Sequence, residues 1–205
     1  MNNQEPIVYE ILGLAGSGKS TLIKFLQKDS NSTFNISKKI GLYLLPKIPF
    51  ASYIYYKTKN IIYLKAYLQF YAYLKYFQTN NNSHNKKIIL DQGPIYLISI
   101  LMKEIPDLKD PLLKDLKKIF PYYNSIIYLT APATILIERI NTREQAHRIK
   151  NIDRVDQESF LEEYREIFDH ILQIAQQHHI QVKIIDTNKH NIDNVERLVN
   201  DIIQK

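Results

Sequence analysis

Cysteine is absent from this chain of 205 residues. Without thiols the protein has no disulfide framework, no thiolate zinc site and no thiol nucleophile. The six histidines do not replace that chemistry, because none has the spacing of a metal cage. The neighbours His178 and His179 point in different directions on a predicted helix, and we expect both to be solvated. Cysteine-based catalysis and histidine–cysteine metal centres are therefore excluded.

Long apolar stretches are also absent. No uninterrupted apolar run reaches the ~18 residues that span a bilayer. The first residues, Met-Asn-Asn-Gln-Glu-Pro, lack the basic region and the apolar region of a secretory signal. Hydrophobic residues make up 45% of the chain and charged residues 23%, as in an average globular domain. We therefore expect a single soluble, cytoplasmic domain over residues 1–205.

Acidic residues are missing from Ser30 to Leu90, although the whole chain has 21 of them. The same stretch contains nine lysines and no arginine, so it carries a local charge of +9. A block of one sign attracts anions. Twelve tyrosine and phenylalanine residues also lie between Tyr43 and Phe77. The stretch therefore combines positive charge with many aromatic rings.

Three interpretations of this segment stay open. Ile62, Ala66, Phe70, Tyr73 and Phe77 recur at helical spacing, which favours burial of most rings in the core. Rings and lysines also suit a substrate pocket for a flat, phosphorylated group. Docking on an anionic membrane surface or on a protein partner is a less favoured alternative, and the ring-rich helix could also form a homodimer face. Specific nucleic-acid binding is not expected, because this segment contains no arginine.

Strand and helix patterns alternate along the chain. Apolar runs predict strands at 7–12, 34–37, 86–91, 125–129 and 181–185. Amphipathic spacing predicts helices at 19–28, 61–77, 95–103, 112–119, 132–141, 156–178 and 192–203. This alternation is typical of βαβ units. We expect an α/β fold with a mostly parallel five-stranded sheet and helices on both faces.

A glycine-rich loop joins the first predicted strand to the first predicted helix. Its residues match the pattern G-x-x-x-x-G-K-[ST]: Gly13, Leu14, Ala15, Gly16, Ser17, Gly18, Lys19, Ser20 and Thr21. Glycine permits the turns that aim backbone N–H groups at phosphate oxygens, and the helix N-terminus favours an anion. In this motif Lys19 reaches the β- and γ-phosphates, and Ser20 binds Mg²⁺. The sequence therefore predicts nucleoside triphosphate binding in a three-layer P-loop NTPase fold.

The motifs of a GTPase switch are incomplete. The segment after the third predicted strand reads Asp91-Gln92-Gly93-Pro94, with proline where the switch has glycine. Near the last strand the chain reads Asn188-Lys189-His190-Asn191, with asparagine where guanine recognition needs a carboxylate. Both motifs miss by one residue, so a GTPase is not favoured.

The sequence contains the charged groups that a kinase requires. Asp91 lies at the predicted carboxyl end of a strand, where ligands of parallel sheets bind, and could hold Mg²⁺ or accept a proton. A helix-capping role for Asp91 is the alternative. Arg139, Arg143, Arg148 and Arg154 follow within sixteen positions, and converging guanidinium groups stabilise the charge of phosphoryl transfer. The alternative for each arginine is solvation or pairing with Glu138, Glu144 or Asp153.

These segments together resemble the small P-loop nucleoside and nucleotide kinases, thymidylate kinases most closely. The likeness rests on the phosphate loop, on Leu136-Ile137-Glu138-Arg139-Ile140 with Arg143, and on Asp153-Arg154-Val155-Asp156 before a long helix. It implies ATP as phosphoryl donor, Mg²⁺, and a helical lid at about 141–155 that closes through Arg143 and Arg148. It also implies that Thr187 and Asn188 lie near the adenine, and that the acceptor binds between the second and third strands.

The likeness has limits. The Arg-Glu-Pro-Gly-Gly signature of thymidylate kinases is absent, Gln92 replaces an arginine, and a Lys- and Tyr-rich insert at about 38–85 occupies the acceptor side. We expect an ATP- and Mg²⁺-dependent kinase of a small anionic or nucleoside-like acceptor, most readily a nucleoside or nucleotide. Lys19, Asp91, Arg143 and Arg148 are its expected catalytic residues, with Ser20 and Asp91 at the metal. The alternatives are a kinase of a sugar, antibiotic or lipid-linked alcohol, and a non-catalytic nucleotide-binding module.

Overall fold

Four parallel strands form the centre of the protein. The computed structural model describes residues 7–29, 48–79, 87–144, 147–190 and 192–204. The strands are β1 (Ile7–Gly13), β2 (Lys87–Asp91), β3 (Tyr123–Thr130) and β4 (Gln181–Asp186), in the order β2-β1-β3-β4. The described residues thus contain a four-stranded sheet rather than the five-stranded one that we expected. The additional strand, predicted at 34–37, lies outside the described residues.

Eight α-helices connect and cover these strands in the described ranges. They are α1 (Lys19–Asp29), α2 (Ile48–Thr58), α3 (Ile61–Thr79), α4 (Pro94–Glu104), α5 (Lys109–Leu116), α6 (Ala133–Asn141), α7 (Arg154–Gln177) and α8 (Ile192–Gln204). Two single 3₁₀ turns, Pro106–Leu108 and Phe120–Tyr122, flank α5. None of the helices in the described parts of the chain is both long and apolar enough to cross a membrane.

The sheet is apolar on both faces, as parallel sheets with crossover helices require. Val8 and Leu12 of β1 point to the larger core, which α3, α4 and α7 cover. Tyr9 and Ile11 alternate with them and point to a smaller core, which α1 and α8 cover. This alternation with a period of two buries β1, β2 and β3 on both sides, whereas half of the residues of β4, at the end of the strand order, are exposed. The predicted α/β architecture with helices on both faces is confirmed.

Most of the ring-rich stripe lies in the core. Ala66, Phe70, Tyr73 and Phe77 of α3 are buried, as the helical spacing predicts. Ile62 is the exception, with 61% of its surface exposed in the first turn. The neighbouring helix α2 is not predicted by the hydrophobic pattern, because its apolar side chains occupy the whole circumference rather than one stripe. Its outer face exposes large side chains, among them Tyr53, Tyr55 and Tyr56.

The segment between α6 and α7 has fixed contacts to its neighbours. The described residues 142–144 and 147–153 form turns and no helix, in contrast to the helical lid that the resemblance implies. The side-chain nitrogen of buried Gln157 donates hydrogen bonds to Ile149 O at 2.6 Å and to Asn141 Oδ1 at 3.1 Å. Lys150 also donates to the carbonyl oxygen of Arg143. Gln157 of α7 therefore connects the turns to α7 and α7 to the last residue of α6, while Lys150 connects two parts of the segment itself.

Candidate active site

The glycine-rich loop lies at the carboxyl end of β1. Gly16 has φ +85° and Gly18 has φ +86°, a region that favours glycine. A Cβ atom on Gly16 would lie 2.6 Å from the carbonyl oxygen of Leu136 in α6, so the loop also packs too closely for a side chain. Helix α1 begins immediately after, at Lys19. The loop thus has the backbone shape and the helix N-terminus that suit phosphate binding.

Lys19 is the centre of a charged group at this end of the sheet. Burial lowers the pKa of Lys19, while the negative charges of Asp91 and Glu10 act against that shift and Arg143 adds to it. The Lys19 Nζ atom also lies 5.0 Å from the ring centroid of Tyr96. The structure therefore brings together three of the predicted catalytic residues, Lys19, Asp91 and Arg143.

Asp91 ends β2 and is exposed. The next residue, Gln92, has φ +54°, a left-handed conformation that is uncommon for a residue other than glycine or asparagine. Such backbone strain is concentrated at functional sites. The tight turn lets the chain leave the sheet at Gly93 and begin α4 at Pro94. Asp91 is thereby left at the open edge of the sheet, beside the phosphate loop on the neighbouring strand.

A first cavity of about 410 Å³ opens on one side of the loop, and we call it the donor cavity. It is lined by Gly16, Ser17, Gly18, Thr21, Leu129, Arg139, Thr142, Arg143, Thr187, His190 and Val195. The walls are a mixture of backbone, polar and apolar groups, as ligand pockets usually have. This cavity brings together three of the sites predicted for the nucleotide: the glycine loop, the Arg139–Arg143 pair and Thr187.

Arg139 connects two walls of the donor cavity. Its Nη1 atom donates to Gly16 O at 3.3 Å and to Thr187 Oγ1 at 2.9 Å. Its Nη2 atom donates to Thr187 O at 3.0 Å. Thr187 is buried, and its hydroxyl also donates to Thr130 O at 3.1 Å. The Arg139 guanidinium is thus hydrogen-bonded to protein oxygens.

Asn188, the other residue predicted near the adenine, is exposed, and its backbone N–H donates to Asp186 Oδ1 at 2.9 Å.

A second cavity of about 360 Å³ opens on the other side of the loop, and we call it the ring-lined cavity. Its lining consists of Gly13, Leu14, Ala15, Ile62, Tyr63, Tyr96, Ile100, His147, Arg148, Phe160, Leu161, Tyr164 and Phe168. Phe160 and Tyr164 lie on α7, Tyr96 on α4 and Tyr63 on α3. Of the predicted acceptor-side insert at about 38–85, the part that the structure describes, residues 48–79, contributes Ile62 and Tyr63 to this lining. Rings from three helices therefore face one space beside the loop.

Arg148 lies in the ring-lined cavity, away from the donor cavity. Its guanidinium carbon is 4.2 Å from the ring centroid of Phe160, and its Nη2 atom donates to Tyr164 Oη at 2.7 Å. Its Nη1 atom lies 3.7 Å from the Glu104 carboxylate. Burial raises the pKa of Tyr164 to about 12, so its hydroxyl stays protonated at neutral pH. The structure thus separates Arg148 from Arg143, two residues predicted to act together.

Arg154 lies outside both linings. It is exposed at the start of α7, and its Nε atom donates to Glu158 Oε1 at 3.1 Å. It therefore forms an i, i+4 surface pair with Glu158, a partner that was not among the acidic residues named from the sequence.

The residues present fit a magnesium–triphosphate group. Mg²⁺ prefers oxygen ligands and is usually held by one or two protein groups together with phosphate oxygens and water. Ser20 and Asp91, the predicted metal residues, are both exposed next to the loop and offer hydroxyl and carboxylate oxygens. No group of three or more His, Cys, Asp or Glu side chains that could hold a metal occurs among the described residues. This donor set suits a metal bound mainly through the phosphates.

Sequence reasoning missed Glu10, which the structure places close to the loop. It is fully buried in β1 and bonded to the first turn of α4. The signal was present, because a carboxylate in the middle of the apolar run at 7–12 breaks the pattern of a doubly covered strand. Tyr96 and Phe160 were also missed, because they resemble ordinary core aromatics in the sequence, and Tyr164, which belongs to the long helix of the family likeness, was given no role in the site.

Solved structures of several kinases are similar to this fold. Deoxyadenosine kinase from M. mycoides with bound dATP gives a TM-score of 0.57 at 18% identity, over 97% of this chain and 100% of that chain. The YorR protein of Bacillus subtilis, in complex with phosphorylated GDP, gives 0.59 at 18% identity, over 96% and 95%. Thymidylate kinase from Candida albicans gives 0.58 at 19% identity, over 98% and 92%.

Sequence comparison adds no closer relative. No family of known sequence pattern matches the chain. No curated protein matches it either. The likeness is therefore one of three-dimensional structure, and it extends over nearly the whole chain. The chain has the fold of the P-loop nucleoside and nucleotide kinases.

Proposed function

We propose that the protein is an ATP- and Mg²⁺-dependent phosphotransferase that acts on a nucleoside or a nucleotide. One observation carries the proposal: the phosphate loop is the common wall of two cavities. Gly16, Ser17 and Gly18 line the donor cavity, and Gly13, Leu14 and Ala15 line the ring-lined cavity. A protein that only binds or hydrolyses a triphosphate needs one pocket beside this loop, whereas transfer between two small molecules needs two.

The donor cavity suits ATP. The backbone N–H groups of the loop and the Lys19 ammonium would hold the β- and γ-phosphates, and Arg143 would approach the γ-phosphate from the α6 side. Arg139 and Thr187 would then form the wall at the nucleoside end of the cavity. The test below compares ATP with GTP and so measures the base preference of this cavity.

The transfer step moves one phosphoryl group. The bond between the β–γ bridging oxygen and the γ-phosphorus breaks, a bond from the acceptor oxygen to that phosphorus forms, and ADP leaves. An acceptor hydroxyl would lose its proton to Asp91, the carboxylate at the end of β2. An acceptor phosphate is already ionised and needs no base. Lys19 and Arg143 stabilise the charge that spreads over the transferred oxygens. Bound Mg²⁺, near Ser20 and Asp91, would neutralise the same oxygens.

The ring-lined cavity suits the acceptor. Flat bases stack on aromatic faces, and Tyr63, Tyr96, Phe160 and Tyr164 supply such faces. Arg148 adds a charged hydrogen-bond donor to the lining and lies 3.7 Å from the Glu104 carboxylate, and such polar groups fix a ligand's orientation. Two structurally similar proteins are named a deoxyadenosine kinase and a thymidylate kinase, which supports a nucleoside or nucleotide acceptor.

The proposal is tested by measuring ADP or GDP formation across a panel of acceptors. Purified protein with magnesium and ATP or GTP is incubated with deoxynucleosides, their monophosphates, sugars and sugar alcohols. We expect acceptor-dependent turnover with at least one nucleoside or monophosphate, and a loss of at least about 100-fold in Lys19→Ala. Turnover with sugars alone would mean that the acceptor is a sugar and not a nucleoside or nucleotide. The absence of turnover with every acceptor would contradict the phosphotransferase.

A second candidate function, a nucleotide-binding module that docks on a membrane, is favoured by one surface. Tyr55 and Tyr56 of α2 and Ile61 and Ile62 of α3 are exposed within the stretch that lacks acidic residues. Rings beside lysines suit an anionic lipid interface. Salt-sensitive sedimentation with phosphatidylserine vesicles, in a protein that shows no acceptor-dependent turnover, would favour this module over the kinase.

A further inference from the structure

Glu10 is a buried carboxylate that is held by hydrogen-bond donors. It lies in the middle of β1, and none of its surface is exposed. Its carboxylate accepts hydrogen bonds from Ile95 N at 3.2 Å, from Tyr96 N at 3.1 Å and from the hydroxyl of Tyr123. A buried carboxylate is costly unless such donors satisfy it. The surrounding structure is therefore arranged to accept this one side chain.

Helix α4 depends on Glu10 for its N-terminal cap. Its own N-cap residue is Gly93, which has no side chain to offer, and Pro94 has no backbone N–H. The first free N–H groups of the helix are therefore those of Ile95 and Tyr96, and both donate to Glu10. A carboxylate at this position also interacts favourably with the helix dipole. Glu10 therefore caps the helix, although it lies on a strand 85 residues earlier in the chain than Ile95.

Gly93 gives the carboxylate its space. A Cβ atom on Gly93 would lie 2.7 Å from Glu10 Cδ and 2.8 Å from Oε2, closer than packed atoms approach. The backbone φ of Gly93 is −73°, which every residue can adopt, so glycine is needed for the contact and not for the turn. Gly93→Ala is therefore a second variant that disturbs the same contact.

The capped turn carries Tyr96 to the site. The Tyr96 ring lies beside Lys19, with 5.0 Å between Nζ and the ring centroid, and it lines the ring-lined cavity. Tyr96 is therefore placed between the predicted phosphate-binding lysine and the predicted acceptor. The hydrogen bond from its own backbone N–H to Glu10 fixes the point at which this side chain leaves the helix.

We propose that Glu10 is a positioning residue of this site, which holds the first turn of α4 where Tyr96 contacts Lys19 and forms a wall of the acceptor pocket. The inference rests on the phosphotransferase function proposed above. Glu10 does not touch the substrates; it acts through Tyr96 and through its charge near Lys19. A displacement of about 1 Å in a substrate-positioning group can reduce a rate by ~100-fold.

The charge of Glu10 changes close to neutral pH. Burial raises its pKa to about 7, against the opposing effects of the hydrogen bonds from Tyr123, Tyr96 and Ile95 and of the Lys19 charge. The other titratable group that senses this carboxylate is Tyr73 of α3, whose pKa is raised to about 12, mainly by burial. Burial also raises the pKa of Tyr123, so both tyrosines stay neutral near pH 7.

The experiment compares wild type, Glu10→Gln, Gly93→Ala and the exposed α7 control Glu166→Gln. Amide hydrogen exchange is measured at Ile95 and Tyr96, and kcat and the acceptor KM are measured from pH 5.5 to 8.5. Ile95 N and Tyr96 N donate to different oxygens of Glu10, and glutamine replaces one of these oxygens with an NH2 donor, so in Glu10→Gln one of the two N–H groups loses its acceptor. We expect exchange at least about tenfold faster at the two amides in both test variants, and no change in the control.

The kinetic expectation is equally specific. Glu10→Gln lowers kcat/KM for the acceptor by at least about tenfold, and it removes a pH inflection near 7 that wild type and the control share. If Glu10→Gln lowers only the melting temperature, while kcat/KM and the pH profile of the folded protein stay as in wild type, Glu10 is purely structural and the proposal is overturned. Unchanged exchange at Ile95 and Tyr96 overturns it too.

Failure of the proposed function has a different result. In that case wild type shows no acceptor-dependent turnover, whereas the exchange measurement still decides whether Glu10 holds the first turn of α4. The affinity for magnesium–ATP, measured by calorimetric titration, then shows whether Glu10 affects phosphate binding at Lys19. An affinity in Glu10→Gln and Gly93→Ala that equals the affinity of the Glu166→Gln control overturns the inference. A shift of at least about threefold in both variants supports it.

Discussion

Arg139 donates two hydrogen bonds to Thr187, from Nη1 to the hydroxyl at 2.9 Å and from Nη2 to the carbonyl at 3.0 Å. The same Nη1 reaches the Gly16 carbonyl of the phosphate loop at 3.3 Å. One guanidinium thus joins the loop after β1 to the turn after β4. The planar fork of arginine can serve several acceptors at once, and lysine cannot reproduce that geometry.

Arg139→Lys tests this connection. We expect a loss of about 2 kcal/mol in the free energy of unfolding, because hydrogen bonds to a charged group are broken while partly buried acceptors remain. We also expect a rise of about tenfold in the KM for ATP, with little change for the acceptor. Urea denaturation and initial-rate kinetics measure both. The control is Arg154→Lys, whose exposed pair with Glu158 is worth less than about 1 kcal/mol. Equal effects in the two variants would contradict the structural role of Arg139.

Arg143 and Arg148 should have different kinetic effects. Arg143 lines the donor cavity and senses Lys19, so Arg143→Ala should lower kcat by about 100-fold. Arg148 stacks on Phe160 in the ring-lined cavity, so Arg148→Ala should mainly raise the acceptor KM, by about tenfold. Steady-state kinetics with each substrate varied in turn separates these outcomes. If Arg148→Ala lowers kcat as much as Arg143→Ala, the lid carries both arginines over the phosphates, as the family resemblance implies.

The phosphate loop could be predicted from sequence because it is local. Its glycines, Lys19 and Ser20 follow one another in the chain, and the strand before and the helix after it have simple periodicities. Asp91 could be placed as well, since the end of a parallel strand lies at the ligand-binding edge of the sheet. These predictions do not depend on how segments far apart in the sequence pack against one another.

The contacts of Glu10 and Arg148 could not be predicted in the same way. Glu10 meets α4 only because β2 pairs with β1 in a register that brings Leu90 opposite Glu10, and sequence periodicity does not fix register. Arg148 lies in a connection without regular structure, so no helical or strand spacing determines which cavity it faces. The position of α2 was missed because apolar residues around the whole helix give no stripe.

Asp91→Asn distinguishes the two classes of acceptor. With a nucleoside the hydroxyl must lose a proton, so loss of the carboxylate base should lower kcat by at least about 100-fold. With a monophosphate the attacking oxygen is already ionised, so a smaller loss, partly restored by high magnesium, is expected. Initial rates with both acceptors and a magnesium titration measure this. The control is Asp110→Asn, in an exposed position at the start of α5. Unchanged rates with both acceptors would contradict a catalytic or metal-binding role for Asp91, and the helix-capping alternative is already excluded because the N-cap of α4 is Gly93.

The last prediction concerns stability and pH. Burial raises the pKa of Glu10 from 4.5 to about 7 in the folded protein. Below pH 4.5 the carboxyl is neutral in both the folded and the unfolded chain. Between pH 4.5 and 7 the unfolded chain ionises first, so the stability contributed by Glu10 falls as pH rises, by up to about 3 kcal/mol, and is constant above pH 7.

Glu10→Gln removes this titration and leaves the other groups in place. Urea unfolding of wild type and variant at pH 5 and pH 8 should therefore give a free-energy difference, wild type minus variant, that is more favourable to wild type at pH 5 than at pH 8. Glu166→Gln, whose carboxyl is exposed on α7, should follow wild type at both values. A difference that is the same at pH 5 and pH 8 would mean that the folded Glu10 carboxyl titrates at its ordinary pKa. The donors from Tyr123, Ile95 and Tyr96 would then offset the whole cost of its burial.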